Sequence, residues 1–237
     1  MDFGPSAKDY ARHRQTFPDS FFDRVPLRGD ILDVGAGTGP LARGYSQRGA
    51  RVVALDISRS MLAEASDLRS RVVARAEACP FRPASFDAVT AGQCWHWFDA
   101  LVVAHECRRV LRRGGKLVIA HFNYLPLPGS AAEGSEALIL ERRPDWPLAG
   151  ISRMEGRWDC HVRGAGFQDL TSFSYEVDVP YTHEAWRGRM RACNGVISLG
   201  PERMAEYDHA LAELLCARFP EPLLIRHEVF ALVARAP

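Results

Sequence analysis

Ile31–Pro40 reads ILDVGAGTGP, and the reading of this stretch decides the fold. Ile31, Leu32 and Val34 form a short apolar run of the kind that makes a strand buried on both faces. The run breaks into Gly35-Ala36-Gly37-Thr38-Gly39. Glycines on alternate positions permit backbone angles that other residues resist, and they let a ligand approach the main chain. Thr38 or Gly39 is placed to cap a helix, with Pro40 near its first position. Strand, glycine loop and helix together outline a nucleotide-type ligand site. The distinctive residue is Asp33, a carboxylate two positions before the first glycine.

That carboxylate bears on the choice of ligand. A dinucleotide loop places pyrophosphate on a helix N-terminus, usually with the spacing G-x-G-x-x-G. Here Pro40 stands in the last glycine's place, and an acidic group at the mouth repels phosphate. A ligand with an adenosine half, an amino group and a positive sulfonium suits such a loop better, and S-adenosylmethionine has all three. A phosphate loop of the Lys-Ser/Thr type is absent, because Leu117 follows Lys116. A tight strand-to-helix turn without a ligand is the plain alternative, so the rest of the chain has to decide.

The 237 residues are 47% hydrophobic and 25% charged, enough for a full globular core and consistent with one domain. Thirty basic and 29 acidic residues leave a net charge of +1, which gives no electrostatic reason to expect nucleic acid or an anionic membrane as partner. No apolar signal core and no run of about 20 apolar residues is present. Cys79, Cys94, Cys107, Cys160, Cys193 and Cys216 are scattered without a CxxC pair, so reduced thiols and a cytoplasmic location are expected. No metal-ligand spacing is found.

Outward from the loop, Tyr10, His13 and Arg14 share one helical face. They are either a solvated face or a lid over the loop. A helix with Phe21, Phe22 and Val25 follows, stopped by Pro26 and Gly29. Arg51–Leu55 reads as a second buried strand ending in Asp56, which stands 21 residues after Gly35. An acidic group about 20 residues on is where a βαβ unit holds a ribose diol. Capping the next helix is its plain alternative, but Ser58 can do that. Ile57 offers an apolar surface to an adenine ring, and a helix is expected over Met61–Leu68. Arg71–Arg75 is a third strand, with Ala76 and Glu77 at its end. Glu77 is either beside the adenine or in a loop salt bridge.

Phe86–Ala91 is a fourth strand, leading into Gly92-Gln93-Cys94-Trp95-His96-Trp97-Phe98-Asp99. Ligands of open α/β sheets bind outside the carboxyl ends of strands, so this cluster belongs at the site mouth. Its aromatic residues supply a wall, and Gln93 and His96 supply polar handles. A core role for His96, and packing roles for Trp97 and Phe98, are the alternatives. A helix over Asp99–Leu111 ends at Arg112-Arg113-Gly114-Gly115, and Lys116–Ala120 is a fifth strand. Strands alternating with helices predict an α/β, doubly wound, mostly parallel sheet. After His121 the pattern loosens. A helix near 132–142, then Trp146 and Trp158, read as an insertion covering the site. Strands at Phe167–Val179 and Leu224–Ala234, with helices near 183–193 and 202–218 between them, complete a seven-stranded sheet with an antiparallel edge strand.

This order of motifs resembles the class I S-adenosylmethionine-dependent methyltransferases. The resemblance rests on LDVGAGTG, ALDIS-x-x-ML, AEACPF followed by SFDAVT, and E-x-x-RVLRRGGKLVI, and covers Ile31–Phe122. A narrower resemblance, to the small-molecule branch with trans-aconitate-type methyltransferases, rests on Y-x-x-x-R before Phe17-Pro18, on GQCWHWFD, and on YTHEAWRGRMR. The resemblance implies a Rossmann-like fold with a helical cap. It divides a single 1–237 domain into an N-terminal lid (1–29), a cofactor-binding core (30–122), a cap insertion (123–168), and C-terminal strands and helices (169–237). It implies Asp33 and Gly35 under the methionine portion, with Ala36 and Gly37 in the same loop. Asp56 falls on the ribose, Ile57 and Met61 near the adenosine, Ala76 and Glu77 beside the adenine, and Gln93 near the sulfonium. Tyr10 and Arg14 match the lid, Arg14 facing the methionine carboxylate. Arg75 departs from the family, which often has an Asp there to accept from the adenine amino group. Cys94 is also unusual, and reads as tuning the acceptor pocket rather than as a nucleophile.

The implied reaction is methylation of a small-molecule acceptor, at a carboxylate or hydroxyl oxygen. His96 is the candidate base or orienting group. Trp95, His96, Trp97, His121, Trp146 and Trp158 are the candidate acceptor contacts. N- or C-methylation of a natural-product intermediate, a cofactor-binding protein without turnover, and a dehydrogenase are the rival readings. A monomer or homodimer is expected.

Overall fold

The structure is a computed structural model, and it describes residues 12–13, 15–150 and 156–237. Tyr10 and Arg14 lie outside the described residues.

Seven strands form one sheet in the order β3-β2-β1-β4-β5-β7-β6. They are β1 (Asp30–Val34), β2 (Arg51–Asp56), β3 (Ser70–Val73), β4 (Phe86–Gly92), β5 (Leu111–Tyr124), β6 (Gln168–Tyr181) and β7 (Leu223–Arg235). β1 to β5 run parallel; β7 pairs antiparallel with β5, and edge strand β6 pairs antiparallel with β7. The central strands read as continuous apolar runs because both faces are covered. Alternation sorts their side chains. Leu117 and Ile119 of β5 join the core on one face, and Val118 and Ala120 join that on the other.

Helices α1 (Asp19–Arg24) and α2 (Pro40–Gln47) cover the second face. Phe22 of α1 fills the space that a side chain on Gly44 would need, its ring only 2.0 Å from where that Cβ would stand. The first face is covered by α4 (Ala100–Val110) and α6 (Asp159–Gly164). Helix α3 (Arg59–Ala63) starts at Ser58, whose hydroxyl accepts from the Met61 amide. α3 ends five residues before Leu68, the expected limit, and turns complete the connection.

β5 is longer than the apolar run Lys116–Ala120 suggests. It extends to Tyr124 because β7 supplies antiparallel partners as far as His227. The cap also differs from a single 123–168 insertion. Helix α5 (Ala131–Arg142) packs with α7 (His183–Arg191), α8 (Asn194–Ile197) and α9 (Pro201–Arg218), so two separate chain segments build it. Trp186, Tyr207, Leu211 and Ile139 form its core. Within the expected insertion, Trp158 and Val162 of α6, with the Ala165 and Phe167 that follow it, belong instead to the main sheet core. Among the described residues, no helix is long and apolar enough to cross a membrane.

Candidate functional site

A cavity of about 490 Å³ opens between the carboxyl ends of β1, β2, β4 and β5 and the cap. That volume lies in the range of small-ligand sites. Its sheet side is lined by loop residues, and its other side by residues of β5, α5, α7 and α8.

The glycine loop is fixed by three different requirements. Gly35, Gly37 and Gly39 all have positive φ (63°, 57° and 83°), which strains any residue with a Cβ. A Cβ on Gly35 would lie 2.8 Å from Cys94 Cβ and 2.9 Å from Phe98 Cζ, and one on Gly39 would lie 2.8 Å from Leu68 Cδ1. Those two glycines are therefore packing positions as well. A Cβ on Gly37 would meet only Met61 Cε, at 3.4 Å. Gly37 faces the cavity, so its lack of a side chain leaves room for a ligand.

Asp33 is buried between β2 and β4, in register with Ala54 and Thr90. Its Oδ1 accepts from the Thr90 hydroxyl at 2.7 Å. It also accepts from the amide of Ala42, in the first turn of α2. The N-cap of that helix is Gly39, which has no side chain to offer, so Asp33 satisfies one of its open amides from a neighbouring strand. Burial pushes the carboxyl up to about 7, against the pull of the Thr90 and Ala42 hydrogen bonds, and the charge of Asp56 adds to the rise.

Asp56 ends β2 and ties the loop together. One oxygen accepts from the Gly37 amide at 2.8 Å, and the other accepts from the Ser58 amide at 2.8 Å. Burial raises its pKa, and these amides oppose the rise. Each carboxylate oxygen keeps lone pairs for a further donor. Beside it, Ile57 presents a 64% exposed apolar side chain to the cavity. Met61, Ala76 and Glu77 line the same end. Glu77 also stands 3.5 Å from Arg75, a solvated pair that contributes little.

The loop carrying Ala76 and Glu77 is held from α4. Glu106 accepts from the Cys79 amide at 3.0 Å and pairs with Arg109. Arg109 donates to the carbonyls of Cys79 and Phe81. Its guanidinium holds the Glu106 carboxyl below the usual range. The E-x-x-R spacing in the sequence is thus a clamp on the loop that carries Ala76 and Glu77.

After β4 the chain turns through Gln93, which holds a positive φ of 65°. Its amide donates to the Ala120 carbonyl at 2.9 Å, and its side-chain amide donates to the Phe122 carbonyl. Cys94 lines the cavity, but its thiol donates to the Val34 carbonyl at 3.1 Å. Burial, with Asp33 and Asp56 nearby, raises the thiol well above its ordinary pKa, which makes it inert as a nucleophile.

Of the expected acceptor contacts, His96, Trp97, His121 and Trp146 line the cavity. Trp97 is 44% exposed, so it belongs to the mouth rather than to packing. The His96 and His121 rings lie 5.7 Å apart between centroids. Trp95 and Trp158 do not line it. Trp95 is fully buried in the main core, because its 3₁₀ turn points it under the sheet end. Trp158 stacks 4.8 Å behind His121 and positions that ring. All ten expected cofactor residues within the described chain line the cavity: Asp33, Gly35, Ala36, Gly37, Asp56, Ile57, Met61, Ala76, Glu77 and Gln93.

Sequence reasoning missed Thr90, Tyr124, Glu136, Arg189 and Asn194. Thr90 pairs with Asp33, and the other four line the cap side. Tyr124 donates to Glu136 at 3.0 Å, and Glu136 also accepts from the Gly150 amide at 3.1 Å. The segment's YTHEAWRGRMR run was the available signal for Arg189, but nothing in it separates that arginine from its neighbours.

The lining fits an adenosyl ligand with a cationic end. It offers a bare glycine edge at Gly37, an acceptor carboxylate at Asp56, an apolar platform at Ile57, and a buried carboxylate at Asp33. A model of the methyltransferase domain family matches residues 32–119. An uncharacterized methyltransferase of Mycobacterium tuberculosis is 38% identical over 193 residues, covering 76% of this chain and 79% of that protein. Among solved structures, a type II methyltransferase of Anaeromyxobacter dehalogenans is similar with a TM-score of 0.63, at 24% identity over 94% of this chain and 97% of that one. The phosphoethanolamine N-methyltransferase 2 of Haemonchus contortus, solved with S-adenosyl-L-methionine, gives a TM-score of 0.58 at 16% identity, over 100% of this chain and 60% of that one.

Proposed function

This chain belongs to the S-adenosylmethionine-dependent methyltransferases, and we propose that it O-methylates a carboxylate or hydroxyl on a small molecule held beneath the cap. One observation carries the reading. A single cavity is lined on one side by the carboxylate-and-glycine loops and on the other by cap residues, so two ligands can meet in it.

On this reading Asp33 and Gly35 underlie the methionine portion, Asp56 accepts from the ribose hydroxyls, and Ile57, Ala76 and Glu77 flank the adenine. Gln93 borders the reacting end, with its side chain fixed by the Phe122 carbonyl. Tyr10 and Arg14 remain the proposed lid. His13, the adjoining described residue, packs on Gly188 of α7, where a Cβ would lie 2.3 Å from its ring. His13 therefore reaches the cap. When bound, the cofactor supplies a methyl group already activated by its sulfonium, for in-line displacement by the acceptor. The protein's task is alignment, which contributes within the roughly 7–11 kcal/mol available from positioning. A carboxylate acceptor needs no base. A hydroxyl acceptor needs one, and His96 at the mouth is the proposed group, with His121 behind it.

Calorimetry with S-adenosylmethionine and with S-adenosylhomocysteine tests the cofactor half. Mass spectrometry of a panel of acids, phenols and alcohols, with fragmentation to locate the new methyl group, tests the acceptor half. Methylation at nitrogen or carbon would replace the O-methylation reading. Binding of NAD with no heat from either adenosyl ligand would overturn the whole of it.

A further inference from the structure

Helix α7 carries three arginines, Arg187, Arg189 and Arg191, and they have different fates. Arg187 and Arg191 are paired with Asp208 of α9 and with Glu184 of their own helix. Arg189 is 6% exposed, and it lines the cavity. Its guanidinium carbon stands 5.4 Å from the centre of the Tyr124 ring. Among the described residues, its Nη1 has no hydrogen-bond partner and no carboxylate lies within ion-pair distance of it. Glu136 lines the same side, but Tyr124 and the Gly150 amide hold it. Trp146 adds a second donor of the same kind. It is 5% exposed and fixed against Gly195 and Ile139, and its Nε1 also lacks a partner among the described residues.

A guanidinium cannot escape burial by losing its proton, so a buried one needs an anion or hydrogen-bond acceptors. Here the protein supplies a ring face and leaves Nη1 without an acceptor, on a side chain that lines the cavity. A planar fork of donors matches a carboxylate. We propose that Arg189, with the Trp146 indole N–H, docks a carboxylate handle on the acceptor, and that this handle is distinct from the atom that is methylated. A carboxylate clamped by a guanidinium has its lone pairs engaged and is a poor nucleophile, so the docked group orients the acceptor and a second group reacts. Arg189 thereby determines specificity, selecting acids over neutral molecules of the same shape. Arg157 lines the rim and is exposed, so it adds attraction at entry rather than a fixed contact.

The inference rests on the reading that the acceptor lies on the cap side of the cavity. Its test uses the full chain saturated with S-adenosylhomocysteine. Glutarate and benzoate are titrated by calorimetry, with glutaramide and benzamide as uncharged counterparts, into wild type, Arg189→Lys and Arg189→Met. Both carboxylates bind wild type, and the amides do not. Arg189→Met weakens the carboxylates about tenfold or more, while Arg189→Lys keeps part of the affinity. Arg189→Met keeps an unbranched apolar side chain against the Tyr124 ring, and melting temperature reports whether each variant is folded. Unchanged S-adenosylhomocysteine affinity in all three proteins shows the cofactor half intact. Carboxylates that fail to bind wild type, or bind Arg189→Met equally well, overturn the docking role while leaving the cofactor reading standing. Loss of S-adenosylhomocysteine binding in wild type would instead overturn the reading on which it rests.

Discussion

Asp33→Asn changes one oxygen to nitrogen in a buried, hydrogen-bonded position, and its effect on stability is set by a proton. In the folded chain burial holds the Asp33 carboxyl at about 7, against 3.8 for an ordinary aspartate. The folded state therefore binds this proton more tightly than the unfolded state does. Stability from this source is complete below about pH 4 and is lost progressively as the pH rises to about 7. A gap of about 3 pKa units corresponds to about 4 kcal/mol. The substituted side chain has no proton to lose; its amide oxygen still accepts from the Thr90 hydroxyl, while its NH2 group cannot accept from the Ala42 amide, a loss that is the same at every pH. The stability of the ligand-free variant relative to wild type thus rises by about 2 kcal/mol between pH 5.5 and pH 8. For a chain of this size, the melting temperature of the variant relative to wild type rises by roughly 4–8 °C between those two pH values. Differential scanning calorimetry of both proteins across pH 5.5–8 makes the measurement. Parallel curves for wild type and variant would refute the buried-proton account. S-adenosylmethionine opposes the trend: a cation favours the ionised carboxylate, so wild type binds more tightly as the pH rises through 7, and the Asp33→Asn variant loses that dependence.

The glycine pair separates packing from ligand access. Gly35→Ala meets Cys94 and Phe98 and destabilises the fold, whereas Gly37→Ala carries only the strain of its positive φ, about 1–2 kcal/mol, and lowers S-adenosylhomocysteine affinity out of proportion to its melting temperature. Equal stability losses in the two variants would contradict the division. His96→Ala lowers turnover of a hydroxyl acceptor about 10²-fold or more and spares a carboxylate acceptor, so unchanged turnover on a hydroxyl rules out a base role. Under native conditions a maleimide labels the exposed Cys160 and Cys216 before Cys94, as read by peptide mass spectrometry. Early labelling of Cys94 would contradict its hydrogen bond to Val34 and its inert thiol.

The sheet and the loop side of the cavity were legible because their signals are local. Apolar runs of strand length, the alternate glycines and a carboxylate at the end of each of the first two strands all lie within Ile31–Asp56. Ser58 caps the next helix, as its place after Asp56 predicts. The cap side of the cavity was not legible, because long-range packing assembles it. Trp95 and Trp158 look like pocket residues in sequence, since aromatic residues near a strand end suit either a core or a cavity, and only the direction of each turn decides. Arg189 was hidden among the arginines of α7, and its selection depends on Asp208 and Glu184 having taken the others. The extent of β5 depended on β7, which lies far along the chain.

The cap has its own hydrophobic core, distinct from those on the two faces of the sheet. Leu211, Tyr207 and Trp186 can be exchanged without touching Leu32, Val34 or Ile31, and changes at well-separated sites add nearly independently. Selection can therefore rework the cap side of the cavity while the glycine-loop side stays fixed. A change in the cap needs no compensating change in the glycine loop. Variation between relatives should then concentrate in α5 and α7–α9, and an alignment of close homologues would show it there first.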